Sequence, residues 1–508
     1  MIMKLGMVVC FVAVIIGLSL YSRSKAATIN DFVVGGRSIG PWMSAFSFGT
    51  TYFSAVLLIG FAGKVGWGYG LSALWIALGN TIIGTFLAWK ILAGRTREMS
   101  SRLHVLTMPS FLEARYRSTN MKIFASLIIF IFFIPYSASV FMGLSYLFEQ
   151  IFHIPYVAAL ILMTVLTALY LVLGGYIAIA LVDFVLGIVM LAGVIVMVAY
   201  ISGYETVGGF LNSISALKAV DPKLAAPIGP GGALGLISLV ILTSLGTWGM
   251  PQMVQKFYGI KNTEVIPRAT VVSTFFALVI TGGAYFSGAL SHLFFRELPV
   301  LNGKPSPDLL MPNIISQALP ETVAVLILLL VLAASMSTLS GLVLVSSSSV
   351  TIDLIKGALF PHISEEKAMK LMRTLFVVFV GLSLWIALNP PGIILTLMAL
   401  SWGTVAGAFL APYLYGLFWE RTTRAGAWAG MITGVLISLG GYFIINWLPY
   451  FTSYPLLTTV QQLGTPFFGA LAMLVPLIVV PAVSLVTPEY SAEHISRIYG
   501  KEELVLEN

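Results

Sequence analysis

The chain has 508 residues, of which 58% are hydrophobic and only 9% charged, far below the roughly 25% charge of an ordinary soluble domain. That balance excludes a water-soluble globule, and continuous apolar runs of about 20 residues exclude a β-barrel, whose strands alternate over about 10. The net charge of +7 does not call for nucleic acid, because the basic residues follow loop topology, and the one cysteine, Cys10, excludes an intrachain disulfide.

Taken in order, the first apolar run covers residues 5–22. It is long for a signal-peptide core, lacks a small-x-small cleavage site and is followed by Arg23, Lys25 and Arg37, so it reads as a retained span. Further spans are expected at 42–68, 70–94, 122–150, 155–174, 177–201, 232–254, 269–294, 320–354, 374–388, 392–418, 425–446 and 466–487, about thirteen helices in all. Threading them alternately gathers on one side Arg23, Lys25, Arg37, Lys90, Arg95, Arg97, Arg102, Arg115, Arg117 and Lys122. The same side collects Lys256, Lys261, Arg268, Lys356, Lys367, Lys370, Arg373, Arg421, Arg424, Arg497 and Lys501. These are 21 of the 27 Lys and Arg residues, so the positive-inside rule makes this face cytoplasmic. The expected protein is multi-pass in the plasma (inner) membrane, with its N-terminus outside and its C-terminus in the cytoplasm.

In the second span, FGTTYFSAVLLIGFAG (48–63) sets Thr50, Thr51, Tyr52 and Ser54 between glycines inside an apolar run. A backbone loosened there must be buried and partnered, since an unsatisfied carbonyl in hydrocarbon costs several kcal/mol. Freed carbonyls can coordinate a cation and small hydroxyls can meet a polar solute. A second interruption, LTSLGTWGMPQMVQ (242–255), falls in the seventh span. Breaks five spans apart fit inverted repeats of spans 2–6 and 7–11, each opening on its broken helix. The expected organisation is therefore 1–41, first helix and cytoplasmic loop; 42–201, first repeat; 202–231, outer connection; 232–418, second repeat; 419–487, spans 12 and 13; and 488–508, cytoplasmic tail. The outer connections at 203–231 and 296–320 suit short surface helices or a lid.

The third polar cluster is AASMSTLSGLVLVSSSS (333–349) in the ninth span. Ala334, Ser337 and Thr338 share a helix face, and Ser340 and Gly341 extend it by a turn. A carbonyl and two hydroxyls there make half of a sodium shell, which carbonyls of the broken second span could complete.

Three ordered motifs, GGRSIGPWMSAFSFGTTYFSAVLLIG, GGYIAIALVDFVLGIVML and AASMSTLSGLVLVSSSSVTIDL, resemble the sodium:solute symporter family, which includes sodium/proline and sodium/pantothenate symporters. The resemblance extends to about Trp419. It implies a leucine-transporter-like all-α fold with a 5+5 inverted repeat, thirteen helices and an outside N-terminus. It also implies sodium as the coupling ion, bound by carbonyls of Thr50, Phe53 and Ala334 and hydroxyls of Ser337 and Thr338. In some relatives the aspartate matched by Asp183 joins serines one turn below to hold a second sodium. Here Asp183 and Ser340 are in place for an ion or proton site, whereas Gly341 stands where those relatives can carry serine. The substrate positions implied are Ser54, Ala55, Tyr136, Thr243, Thr247 and Trp248.

The residues also carry plainer readings. Ser346 to Ser349 read as close-packing hydroxyls, Lys64 as a snorkelling side chain, and Glu149 and Asp353 as interfacial acids. No phosphate loop, zinc spacing or Ser-His-Asp arrangement marks an enzyme, so transport draws on an ion gradient. The function expected is sodium-coupled uptake of a small organic solute by alternating access. A proton-coupled carrier using Asp183 and a non-transporting solute sensor are the alternatives, and a channel is disfavoured because the polar residues cluster as an occluded site. Solute identity, one or two sodium ions per cycle, and oligomeric state stay open at this level.

Overall fold

The computed structural model of the chain describes residues 2–22, 28–173, 176–301, 303–450 and 455–500. Arg23, Lys25, Lys501 and the glycine pair at 174–175, all used above, lie outside the described residues.

Among the described residues ten helices are long and apolar enough to cross a membrane. Two shorter apolar helices, Gly6–Leu18 and Tyr156–Leu166, fall where the first and fifth spans are expected. Numbered in chain order, the helices are α1 (Ile2–Ser22), α2a (Pro41–Tyr52), α2b (56–69), α3 (74–102), α4 (Thr119–Phe152), α5 (Tyr156–Leu173) and α6 (Tyr176–Gly203). They continue as α7a (233–248), α7b (Pro251–Tyr258), α8 (Ile266–Ala289), α9 (321–359), α10 (Glu365–Leu388), α11 (Ile394–Phe418), α12 (Arg424–Asn446) and α13 (Pro455–Leu485). Both helices expected to break do so, α2 at Phe53 and α7 at Met250, each in an extended conformation. Pro251 then opens α7b at a position where its missing N–H costs nothing.

The membrane sets which helices are central. In α9 and α11, 83% and 89% of the apolar window is buried within the protein, against 33% and 28% for α10 and α12. Lipid tails are as apolar as leucine, so central helices associate through close packing. α2b and α8 approach so closely that a Cβ on Gly288 would sit 1.9 Å from the Ala62 carbonyl oxygen and one on Gly66 2.1 Å from the Gly288 carbonyl carbon. Gly434 on α12 meets the Gly407 carbonyl of α11 in the same manner, at 2.1 Å.

On the face that gathers the basic residues the segments flanking the two broken helices are tied together. Ile39 and Ile260 form a parallel bridge, with Ile39 N–H donating to the Gly259 carbonyl (3.1 Å) and Lys261 N–H to Ile39 (3.0 Å). Arg37 donates to the Ser100 and Val105 carbonyls (3.0 and 2.8 Å), and Arg97 to Ile260 (2.5 Å). Arg115, fully buried, donates to the Gly416 and Trp419 carbonyls at the end of α11 (both 3.2 Å). Several basic residues of this face thus cap helix ends. Asp353, expected at an interface, is instead buried and accepts hydrogen bonds from Thr107 (2.8 Å) and Ser110. A helix that carries polar side chains this close to its end can turn an acid inward when donors from the start of a neighbouring helix, here Met108–Tyr116, meet it.

The two connections expected on the outside fold into short elements. The first holds the helix Ser213–Val220, and the second holds a hairpin, Val300–Leu301 with Lys304–Pro305, followed by the helix Leu310–Ala318. Gly70, at φ +57°, ends α2b, and a Cβ there would lie 2.3 Å from the Leu224 carbonyl oxygen of the first connection. Asp308 in the second connection caps α11 by accepting the Ile394 N–H at 3.1 Å.

Candidate ion and solute site

The site grows from the break in α2. Because Phe53 is extended (φ −109°, ψ 115°), the carbonyls of Thr50 and Thr51 lie in the last turn of α2a, where a helix leaves its carbonyls unpaired. Thr338 on α9 answers them: its hydroxyl lies 3.3 Å from the Thr50 oxygen and 3.0 Å from the Thr51 oxygen. Ser337 donates to the Thr50 hydroxyl at 2.8 Å, which in turn donates to the Phe46 carbonyl, also at 2.8 Å. Phe53 forms the break itself and Ala334 lies one turn before Thr338, and all five positions are buried. The Thr51 hydroxyl is buried without a hydrogen-bond partner.

This donor set fits a small hard cation. It consists of neutral carbonyl and hydroxyl oxygens, placed at a half-helix C-terminus where the backbone dipoles present partial negative charge. No acid is needed in the first ring of contacts.

Immediately beyond the break lies a small cavity of about 20 Å³, the room of about one water. Ser54, Tyr136 and Thr243 line it, together with Tyr52, Phe53, Leu57, Asn80, Tyr285, Met398 and Trp402. The Tyr52 hydroxyl donates to the Thr243 carbonyl at 2.6 Å, joining the two broken helices. The Trp402 ring lies 6.0 Å from both the Tyr52 and Tyr136 rings, stacked on the first and edge-on to the second. Asn80 accepts from Thr243 (2.8 Å) and Ser244 (3.0 Å) through its amide oxygen.

The other expected solute residues face elsewhere. Thr247 donates to the Gly84 carbonyl and the Trp248 indole N–H to the Ile83 carbonyl, each at 2.9 Å. Both acceptors belong to the π-helical stretch Ile82–Ala93 of α3. Ala55 lies against α4, where a Cβ on Gly143 would be 3.2 Å from its side chain. Asn80, Tyr285 and Trp402 were not singled out from sequence. Asn80 carried the only usable signal, a lone amide within an apolar run; the aromatics look like ordinary packing residues until the fold turns them inward.

Asp183 sits on α6, buried, one helical turn from Gly187, where a Cβ would meet Thr50 at 3.2 Å. It accepts the Ser47 hydroxyl at 2.5 Å and pairs with the Lys256 ammonium of α7b at 3.5 Å. The sequence places Lys256 among the basic residues of a connection; it is buried at 2% exposure. Ser340 does not turn toward Asp183, because its hydroxyl bonds the Ser337 carbonyl of its own helix at 2.7 Å.

Broken helices meeting at a buried site, held within a bundle of membrane-spanning helices, define a secondary transporter with the leucine-transporter-like fold. The chain belongs to the sodium:solute symporter family, whose model matches residues 32–434. It is 31% identical over 433 residues to the sodium/proline symporter of Escherichia coli (strain K12), an alignment covering 84% of each chain. It is 30% identical over 427 residues to the osmoregulated proline transporter OpuE of Bacillus subtilis (strain 168), covering 84% of this chain and 85% of that one. In structure it is similar to a Na+-coupled sialic acid symporter solved in a substrate-bound outward-open state. That likeness has a TM-score of 0.77 at 17% identity, covers 96% of this chain and 98% of the other, and speaks for the fold. The protein is thus a multi-pass membrane transporter and not an enzyme.

Proposed function

We propose that the chain couples the inward movement of sodium to the uptake of proline, in the plasma (inner) membrane, with its N-terminus outside. The observation that carries the ion assignment is the Thr338 hydroxyl lying against the freed carbonyls of Thr50 and Thr51. Sodium bridging α2a and α9 at Thr50, Phe53, Ala334, Ser337 and Thr338 would order the break, and the break supplies part of the wall of the adjoining cavity. Support for proline comes from the relatives named above and from the wall itself. A compact apolar ring suits the faces of Tyr136, Tyr52 and Trp402, while Ser54 and the broken-helix backbone can meet a carboxylate without a fixed cation.

Alternating access follows if sodium and solute favour the same closed state, for which a coupling of about 1 to 3 kcal/mol is typical. The cavity of about 20 Å³ is smaller than the solute, so binding requires the wall to part. Uptake into proteoliposomes, with proline, pantothenate, short monocarboxylates, glucose and sialic acid tested under a sodium gradient, a proton gradient or neither, is the direct test. Proline accumulation only with sodium is the expected result. Accumulation under a proton gradient alone would replace the ion, and binding without movement would make the protein a sensor.

A further inference from the structure

The pair formed by Lys256 and Asp183 has a geometry that reaches beyond helix packing. The ammonium donates to the Ser47 hydroxyl at 2.8 Å, stands 3.5 Å from the Asp183 Oδ2 atom, and lies over the Tyr176 ring at 5.2 Å from its centroid. Ser47 passes the contact on by donating to the same Oδ2 atom at 2.5 Å. One carboxylate, one hydroxyl and one aromatic face therefore surround a positive charge that is fully enclosed in protein. Ser47 is one turn before Thr50 on α2a, and Asp183 is one turn before Gly187, which abuts Thr50. This cation thus sits about one helical turn from the Thr50 and Thr338 cluster, where the second-ion reading of Asp183 and Ser340 would have placed an ion.

We propose that Lys256 is a tethered cation that takes the place of a second sodium ion, so that this transporter binds one sodium per solute. The inference rests on the sodium reading above. Its physical basis is charge. The Asp183 and Lys256 pair is already neutral, so a further ion would leave a net positive charge at membrane depth, where an uncompensated charge is expensive. Two of the oxygens that a second ion could use are also engaged, Ser47 bridging lysine and aspartate and Ser340 turned back to its own helix, which leaves the buried Asp183 Oδ1 atom as the one oxygen of that carboxylate without a hydrogen-bond partner. Gly341 offers no hydroxyl, and a side chain added there would press on Thr51 at 3.0 Å.

The consequence is a cycle that moves one sodium where a relative lacking the lysine could move two. Replacing Lys256 by methionine leaves Asp183 as a buried, unpaired anion with room beside it, which is what a second sodium would fill.

The test is equilibrium binding of radiolabelled sodium to the purified full-length protein, counted per chain at saturating proline. One ion per wild-type chain, two per Lys256→Met chain, and one per chain of the neutral double variant Lys256→Met with Asp183→Asn are expected. Sodium affinity in the double variant should stay within about threefold of wild type, because Asp183 serves the lysine and not the remaining ion. Two ions on the wild type, or one on Lys256→Met, would overturn the assignment. Should Lys256→Met not fold, the wild type and the charge-neutral double variant still decide: loss of the single ion in the double variant would make Asp183 a sodium ligand and refute the tethered-cation role. Absence of any bound sodium on the wild type would refute the sodium reading itself, a different outcome from a count of two.

Discussion

Replacing Thr338 by valine keeps the shape of the side chain and removes only its hydroxyl. In the structure that hydroxyl is buried and reaches two carbonyl oxygens, Thr51 at 3.0 Å and Thr50 at 3.3 Å. Without sodium its loss removes one buried hydrogen bond and leaves a carbonyl unserved, a cost of about 1 to 3 kcal/mol. With sodium the same substitution removes one of the five oxygens assigned to the ion. Hydrogen bonds to charged groups, a conservative yardstick for such a contact, are worth about 1.5 to 3 kcal/mol, so sodium affinity should fall about 10- to 150-fold. The assay is thermal unfolding of the purified protein as sodium replaces choline, since a ligand at concentration c that binds only the folded form stabilises it by RT ln(1 + c/Kd), and the sodium concentration at which that gain reaches RT ln 2 is the midpoint read. The sodium midpoint should move to higher concentration in Thr338→Val and stay near wild type in Thr338→Ser. A Thr338→Val midpoint within twofold of wild type would remove Thr338 from the ion site, whatever happened to overall stability.

Three further outcomes follow from contacts described above. Gly288→Ala places a methyl 1.9 Å from the Ala62 carbonyl oxygen, where backbone must move, so stability should fall by about 1 to 3 kcal/mol and equally in sodium and in choline; an unchanged melting temperature would mean that α2b and α8 are not so closely apposed. Trp248→Phe loses the bond to the Ile83 carbonyl, so it should cost about 1 kcal/mol of stability with little change in the proline concentration for half-maximal uptake, whereas Tyr136→Phe should shift that concentration; the reverse pattern would return Trp248 to the solute wall. Burial raises the Asp308 carboxyl from its ordinary 3.8 to about 6, opposed by the Ile394 N–H and by Lys64. Its neutral form is the one the fold favours, so its contribution is complete below about pH 4 and is lost as pH rises through about 6. That shift corresponds to about 3 kcal/mol, and wild type should therefore lose stability relative to Asp308→Asn between pH 4.5 and 7; parallel profiles for the two proteins would contradict it.

Much of this protein is written in its sequence because the bilayer reads one property at a time. Hydrocarbon thickness turns apolar length into a span, the basic bias of loops turns order into orientation, and the cost of bare backbone turns glycine and hydroxyl clusters such as 48–54 and 242–251 into breaks. Those rules gave the membrane class, the paired broken helices and the serine and threonine pair of α9. Tertiary structure decided what each side chain faces. Trp248 and Thr247 were legible as polar groups at a break, yet the π-helical stretch of α3 offers them carbonyls and draws them away from the cavity. Trp402 and Tyr285 look like packing residues until α11 and α8 bring them to the same wall as Ser54. Lys256 shows the division most sharply. In the sequence it is one more basic residue at the end of a span, and only the return of α7b alongside α6 sets its ammonium beside Asp183. Periodicity and transfer cost act along one helix and can be read from a line of residues. A pair of buried charges depends on three helices meeting, and that geometry exists only once the chain has folded.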